Sequence, residues 1–271
     1  MMPHIWVPNR DIIRPPLFPG RKQIERYACM PVASQNAVIG QKPVSGPVAG
    51  SLLWTRSDFG TFQSNAGTTA ASSDTDVVGY WTDQSGNGNH LKSNANDTAR
   101  PILKLSQVNG FPSIRFDGSN DILKALFTLS LPLTVFIVVN QISWVSGTTL
   151  VAGGVADNMS FVQSGSSPNF KVSWLGSGTG GTNDGNLAVG TWGIVEINLS
   201  AATKYVKVGS NAQTNQTVAD AGAKGGVSIS AHPNPSNYCN AEFAEVLVYN
   251  TALNGTDATA NRTYLATRYG L

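Results

Sequence analysis

The chain has 271 residues, which is enough for one large β domain or two small ones, and its hydrophobic content of 41% is ample for a core. Only 13% of the residues are charged and the formal net charge is +2, so we expect no strong attraction to nucleic acid. No apolar run approaches the length of a membrane span, and the first residues lack the uninterrupted apolar core of a secretion signal. We therefore expect no membrane partner and synthesis in a cytoplasm.

Residues 1–49 differ in composition from the rest of the chain and are predicted to form an extended arm. The first fifty residues contain eight of the fourteen prolines, and six Lys and Arg against two Asp and Glu. Proline lacks an amide donor and interrupts helices and sheets. Because apolar residues lie between the charges, docking on a protein surface is favoured over nucleic-acid binding, and wrapping on the chain's own body is the alternative. The candidate docking residues are Trp6, Arg10, Arg14, Phe18, Arg21 and Arg26.

The body, predicted as one domain over residues 50–271, is organised around the stretch Tyr80–Asp121. This stretch contains two short apolar runs separated by turns rich in Gly, Asn and Asp. Gly and Asn tolerate positive φ, and Asp and Asn side chains bond to nearby backbone. Ile114 and Phe116 alternate with Arg115, which is the pattern of a strand with one buried face. The pattern predicts paired strands with tight turns.

The most apolar run, Leu133–Ile142, is rich in β-branched residues and is predicted to be a central strand buried on both faces. About a dozen short strand-like segments, separated by turns rich in glycine, follow one another along the body. Short strands at such spacing are typical of an all-β sandwich or barrel.

The end of the chain differs, because Leu253–Gly270 has the pattern of one helix. Asn254 or Thr256 is suited to cap its start, Asp257 lies in the first turn and Gly270 ends it. One face of this helix should pack against the sandwich. That face carries Ala258, the stem of Arg262, Leu265 and Tyr269.

Together these segments resemble the laminin-G-like, concanavalin A-like lectin/glucanase superfamily over roughly Leu52–Leu271. The resemblance rests on W-x-D-x-S-G-N-G-N from Trp81, R-P at Arg100, N-G-x-P-x-I-R-F-D-G-x-x-D from Asn109, A-E-V-L-V-Y-N-x-x-L from Ala244 and Y-L-x-x-R-Y-G from Tyr264. It implies a jelly-roll sandwich of two antiparallel sheets. It does not imply one activity, since the superfamily includes lectins, adhesion modules, glycanases and virion proteins.

The resemblance also suggests a calcium site, because many relatives bind Ca²⁺ through Asp and Asn oxygens near the rim of the sandwich. Ca²⁺ takes six to eight oxygen ligands. The candidate ligands, close together in sequence, are Asp83, Asn87, Asp117 and Asp121. The alternative is that these residues bond to their own turns.

Glycan binding is a further possibility, since sugars stack on exposed aromatic rings and bond to amides and carboxylates. Trp144 follows the buried strand at a loop boundary, and Asn183 and Asp184 lie in the glycine-rich loop 176–190. The alternative is that Trp144 belongs to the core.

Catalysis is not expected from the acidic residues. Retaining and inverting glycanases need two carboxylates that converge. Glu242 and Glu245 are three residues apart, so on a regular strand they face opposite ways. His4, His90 and His232 lack the accompanying residues of a Ser/His hydrolase. The sequence therefore predicts a chain that is not an enzyme and has no catalytic residue.

The leading prediction is a non-enzymatic structural protein of a virion, from a bacteriophage, on its capsid or tail. The arm would bind other virion subunits in an oligomeric assembly, and the lectin-like body would contact a glycan or host surface. The alternatives are a glycoside hydrolase or lyase of the same superfamily, and a free bacterial sugar-binding or adhesion module.

Overall fold

The computed structural model describes residues 46–94, 99–154, 159–174, 185–200, 203–209, 214–217, 225–232, 234 and 236–271. The predicted arm, apart from its last four residues, lies outside this part of the chain. The predicted boundary between residues 49 and 50 therefore stays a prediction.

The described residues form seventeen strands and one helix. In chain order they are β1 Leu53–Arg56, β2 Thr61–Phe62, β3 Tyr80–Trp81, β4 Leu91–Lys92, β5 Ile102–Val108, β6 Phe111–Asp117, β7 Leu123–Ala125, β8 Leu133–Gln141, β9 Thr149–Gly153, β10 Met159–Gln163, β11 Asn169–Trp174, β12 Gly185–Asn186, β13 Trp192–Leu199, β14 Thr203–Val208, β15 Thr214–Thr217, β16 Val227–Ile229, β17 Asn240–Tyr249 and α1 Gly255–Tyr269.

The strands form two sheets that pack face to face, and every pairing between the described strands is antiparallel. The first sheet has the order β15-β14-β13-β8-β17-β6-β5, with β1 also paired to β17. The second has the order β12-β11-β10-β9-β16-β7-β4-β3-β2. The predicted all-β sandwich of two antiparallel sheets with a C-terminal helix is confirmed.

Strand β8 is the centre of the first sheet, and all nine of its residues are buried. Val135 and Ile137 point into the main core between the sheets. Phe136 and Val138 point the other way, into a second apolar cluster beneath the helix. The predicted central strand with two buried faces is therefore confirmed, and its continuous apolar run has a physical cause: a second layer covers its outer side.

Helix α1 lies on the outer face of the first sheet. Its N-cap is Asn254, whose side chain accepts hydrogen bonds from the amides of Thr256 and Asp257, and it ends at Gly270 with φ of 68°. Its buried face includes Tyr264 and Leu265, so the predicted packing of this helix on the sandwich is confirmed. Among the described residues no helix has both the length and the apolar character that crossing a membrane requires.

Candidate functional site

The predicted calcium ligand Asp83 is committed to its own loop. Its Oδ1 accepts hydrogen bonds from the amides of Trp54 at 3.0 Å and Ser85 at 2.9 Å, and its Oδ2 accepts from the amide of Asn89 and the hydroxyl of Ser85. The side chain is buried. Four donors occupy both oxygens, so the carboxylate ties the loop to strand β1 and is poorly suited to a cation.

The other predicted calcium ligands have similar partners. Asn87 donates from its side-chain amide to the carbonyl of Ser51 at 2.9 Å. Asp117 accepts from the amide of Ser119, and Asp121 accepts from the amide of Asp117. Within the part of the chain that the structure describes, no group of three or more His, Cys, Asp or Glu is placed to hold a metal ion. These residues fit turn anchoring better than calcium, and calcium binding stays an untested prediction.

The predicted glycan residues are not brought together by the described structure. Trp144 is half-buried, and its Nε1 donates to the backbone carbonyl of Asn169 at 2.9 Å. This hydrogen bond fixes the ring against the start of β11. Asn183 and Asp184 lie outside the described residues, as do the six arm residues from Trp6 to Arg26, so their roles stay predictions.

The two glutamates of β17 face the same way, which corrects the argument from regular alternation. The pairing with β8 shifts by one residue between Phe243 and Glu245, where Ala244 forms a β-bulge. Glu242 and Glu245 therefore both lie on the outer face of the first sheet. Glu242 is 1% exposed and pairs with Arg115, whose Nε donates at 2.6 Å.

Glu245 lies at the bottom of the layer between β17 and α1 and has no exposed surface. It accepts hydrogen bonds from Trp54 Nε1 at 2.7 Å, Tyr269 OH at 2.8 Å and Tyr264 OH at 3.0 Å, and Arg268 Nε lies 3.7 Å away. Burial raises the pKa of this carboxyl, and the hydrogen bonds from Tyr269 and Trp54 oppose that rise. A carboxylate without exposed surface cannot contact a glycosidic bond, so Glu245 stabilises the fold.

A different set of side chains meets on the outer face of the second sheet, and we call it the cationic strip. It contains Phe62, Tyr80, Lys92 and Lys124, which stand directly opposite one another across β2, β3, β4 and β7, together with His90. The neighbours Trp81, Leu91 and Leu123 point into the core. Because side chains alternate along a strand, the strip faces away from the core.

The aromatic half of the cationic strip is preassembled. The rings of Phe62 and Tyr80 meet edge to face with centroids 5.7 Å apart, and the His90 ring lies 4.9 Å from that of Tyr80. Lys92 Nζ lies 5.1 Å from the centre of the Tyr80 ring. Burial and the charge of Asp83 raise the pKa of Tyr80, so its hydroxyl stays protonated and can donate a hydrogen bond.

The cationic half of the strip consists of two lysines with no acidic partner among the described residues. Lys92 and Lys124 are cross-strand partners, and two like charges placed directly opposite destabilise a sheet. Neither lysine forms an ion pair with a described residue. Lys92 is exposed and Lys124 is half-buried. Since Lys92 Nζ lies over the Tyr80 ring, on the side of β4 away from β7, the two lysines offer two neighbouring cationic positions to an acidic ligand.

Beyond Lys124 the outer face of the second sheet is covered. Ser228 and Ala152 continue the same row on β16 and β9 and are fully buried. Gly226 has φ of 87°, and a Cβ there would collide with the carbonyl of Ala125, so this position requires glycine. Because Ser228 and Ala152 have no exposed surface, the accessible part of the strip ends at the two lysines.

Sequence reasoning missed the cationic strip, because its members come from four strands of two or three residues each. The alternation in Leu123-Lys124-Ala125 shows that Lys124 faces outward. Only the register of the sheet shows which side chain stands opposite it.

Comparisons with known proteins find solved structures with a similar fold but no matching family. No family model and no curated protein matches the chain. Among solved structures, it is similar to the Trypanosoma rangeli sialidase in complex with sialic acid, with TM-score 0.52, 11% identity, and coverage of 82% of this chain and 34% of the sialidase. It is also similar to a GH54 α-L-arabinofuranosidase soaked with a cyclic sulfate inhibitor, with TM-score 0.57, 14% identity, and coverage of 72% and 52%.

A third similar structure is the receptor binding domain of botulinum neurotoxin type G, with TM-score 0.52, 7% identity, and coverage of 80% of this chain and 51% of that domain. The chain thus spans about a third to a half of these proteins. The likenesses are consistent with the predicted concanavalin A-like lectin/glucanase fold, and at these identities they concern the fold alone.

The prediction that this chain is not an enzyme is wrong in light of these comparisons. The sialidase and the arabinofuranosidase are glycosidases, and their sandwich is of the kind that this chain forms. One reason given for that prediction, the opposite facing of Glu242 and Glu245, also fails because of the bulge at Ala244. The likenesses do not bear on a virion, so that role stays a prediction.

Proposed function

We propose that this chain is a carbohydrate-recognising β-sandwich that binds an acidic glycan along the cationic strip. The observation that carries the proposal is the cross-strand pair Lys92 and Lys124, which has no acidic partner among the described residues. The carboxylates or sulfates of an acidic glycan would compensate the two ammonium groups with charge-assisted hydrogen bonds.

The neighbouring aromatic residues support the same ligand class. The half-buried rings of Phe62 and Tyr80, with the Tyr80 hydroxyl and the His90 ring, offer apolar contact and hydrogen bonds to a sugar beside the charged group. The similar sialidase is described in complex with sialic acid, an acidic sugar, which favours this ligand class by analogy.

The proposal is tested by measuring binding of the purified chain to immobilised acidic glycans and to neutral glycans with the same backbone. We expect selective binding to the acidic set, and a loss of about tenfold or more in affinity for Lys92→Gln and for Lys124→Gln, the cost of one charge-assisted bond. Lys171→Gln is the matched control, since its strand lies about 19 Å from β7 by strand spacing. Equal binding of neutral glycans, or equal losses in all three variants, would refute the proposal.

Hydrolysis of the bound glycan is the second candidate function, favoured by the likeness to two glycosidases. Incubating the chain with the glycans that it binds, and measuring released reducing sugar, separates recognition from turnover. Glu242 and Glu245 are buried beneath other side chains, so substitution of either one should change release only through stability.

We propose further that residues 1–49 attach this body to other subunits of a virion in an oligomeric assembly, as the basic, proline-rich composition suggests. The described end of the segment is fixed to the body: Val48 donates to Asn261 on α1 at 2.8 Å and accepts from Tyr249 OH at 2.8 Å. Attachment there, on the outer side of the first sheet, would leave the cationic strip on the opposite side of the sandwich.

Incorporation tests this attachment. A variant lacking residues 1–45 should keep the thermal transition of the body and should fail to join particles when it is supplied in place of the full chain. Normal incorporation of the truncated chain would refute attachment through this segment.

A further inference from the structure

A cleft lies away from the cationic strip, between α1 and the strands β12, β13 and β14. Its volume is about 560 Å³, within the range of roughly 300–1,000 Å³ that small-molecule sites occupy. Its wall and rim include Trp192, Lys207, Arg262, Thr263 and Asn186. We call it the helix cleft, and it shares none of these residues with the cationic strip.

The charge in the helix cleft is positive. None of the described side chains that line it is acidic. Glu196 lies behind the wall, fully buried, where Arg262 Nη1 and the hydroxyl of Tyr205 donate to its carboxylate. One carboxylate therefore balances Arg262, and the charge of Lys207 remains.

The two cations are placed differently by the fold. Arg262 is fixed, since Nη1 binds Glu196 and Nη2 donates to Thr259 Oγ1 at 2.7 Å, and its other N–H groups remain available. Lys207 is the cross-strand partner of Glu196 and so stands on the same outer face. It is half-buried and has no ion pair or hydrogen bond with a described residue. A held guanidinium and an uncompensated ammonium thus line one cleft.

The helix cleft also has an aromatic wall. Trp192 begins β13 and packs against the apolar cluster beneath α1, while it remains half-buried at the cleft. The C–H groups of a sugar prefer an aromatic ring face, and Asn186 and Thr263 add side chains that form hydrogen bonds. A ring with an acidic substituent matches the aromatic wall and the two cations together.

We infer that the helix cleft is a second ligand site, which takes an acidic sugar of monosaccharide size. The sugar ring lies against Trp192, and its carboxylate is bound by Lys207 and by the free N–H groups of Arg262. This site goes beyond the proposed strip on the second sheet, because it selects a single small acidic residue instead of an extended chain.

Glucuronate, glucose and inorganic phosphate are suitable probes of the full chain. Glucose has the ring without the carboxylate, and phosphate has negative charge without the ring. Binding is followed by intrinsic fluorescence, with Trp192→Phe identifying the part of the signal that comes from this ring, and by ligand-observed NMR. We expect glucuronate to bind measurably tighter than glucose or phosphate.

Charge variants locate the binding. Lys207→Gln should weaken glucuronate binding about tenfold or more, the cost of one charge-assisted hydrogen bond, while its thermal transition stays that of the native chain. Lys171→Gln is the matched lysine control, and Lys124→Gln reports on the cationic strip. Neither should change glucuronate binding.

Three outcomes would overturn the inference. The first is glucuronate affinity that is unchanged in Lys207→Gln or lost in Lys124→Gln, because the ligand then lies elsewhere. The second is equal affinity for glucuronate and phosphate, because the ring is then irrelevant. The third is no difference between glucuronate and glucose. Failure of glycan binding at the strip would leave all three measurements unaffected, so the two proposals fail separately.

Discussion

Replacement of Glu245 by Ala tests whether the layer between β17 and α1 depends on this one carboxylate. The change leaves three buried donors without their acceptor: Trp54 Nε1, Tyr264 OH and Tyr269 OH. A buried donor left unsatisfied costs about 1–3 kcal/mol, so the three together cost roughly 3–9 kcal/mol, while removing a buried charge returns part of that. We expect a net loss of about 4 kcal/mol in the free energy of unfolding, near the roughly 3–5 kcal/mol typical of breaking a buried ion pair.

The assay is denaturant unfolding of the wild type and the variant, followed by thermal unfolding. A loss of about 4 kcal/mol corresponds to a fall in Tm of roughly 8–16 °C for a domain of this size. Tyr264→Phe removes one donor and keeps the carboxylate, so it should cost only about 1–2 kcal/mol. If Glu245→Ala costs no more than Tyr264→Phe, the carboxylate does not organise this layer and the reasoning is wrong.

Three further predictions concern other parts of the body. Burial opposes ionisation of Asp58, but the hydrogen bond from Arg56 and the charge of Arg268 outweigh it and lower its pKa below the ordinary 3.8. The wild type should therefore have a larger free energy of unfolding than Asp58→Asn at neutral pH, and this difference should disappear as the pH falls below about 3.8. A difference that stays constant with pH would contradict this. Lys124→Gln should leave the free energy of unfolding unchanged or raise it by about 0.2–1 kcal/mol, because it relieves repulsion from the opposed lysine of β4. A clear fall in the free energy of unfolding, measured with denaturant, would mean that Lys124 stabilises the sheet. Gly226→Ala should lower the Tm more than Gly86→Ala does. Both glycines have positive φ, but only at Gly226 does a backbone carbonyl lie where the Cβ would be. Equal falls in Tm would show that the neighbouring strand moves to accept the Cβ.

Much of the fold could be predicted because its signals are local. The cap at Asn254 and the left-handed Gly270 bound the helix through bonds within a few residues, so the sequence shows them directly. The continuous apolar run of β8 shows that both of its faces are covered. The predicted role of Asp83 as a possible turn anchor could be stated in advance for the same reason, since two of its donors come from Ser85.

The remaining features depend on contacts between distant segments. The bulge at Ala244 turns Glu245 to the same face as Glu242, and nothing in the local sequence marks the shift, because it is set by pairing with β8. The partners of Glu245 come from β1 and from α1, 191 and 19 residues away for Trp54 and Tyr264. The cationic strip likewise exists only through the register of four short strands.

The charged residues of the interior differ from the lysine pair of the cationic strip in whether they have a partner of opposite charge. In the interior, each buried glutamate of the first sheet has a cationic partner: Glu196 pairs with Arg262, Glu242 with Arg115, and Glu245 has Arg268 nearby. These three buried carboxylates are therefore all compensated by a cation. Lys92 and Lys124 stand opposed with no acidic partner among the described residues, at a cost to the sheet. Such a charge pair weakens the fold, so a ligand explains it better than stability does. Lys124→Gln should therefore weaken glycan binding without lowering the free energy of unfolding.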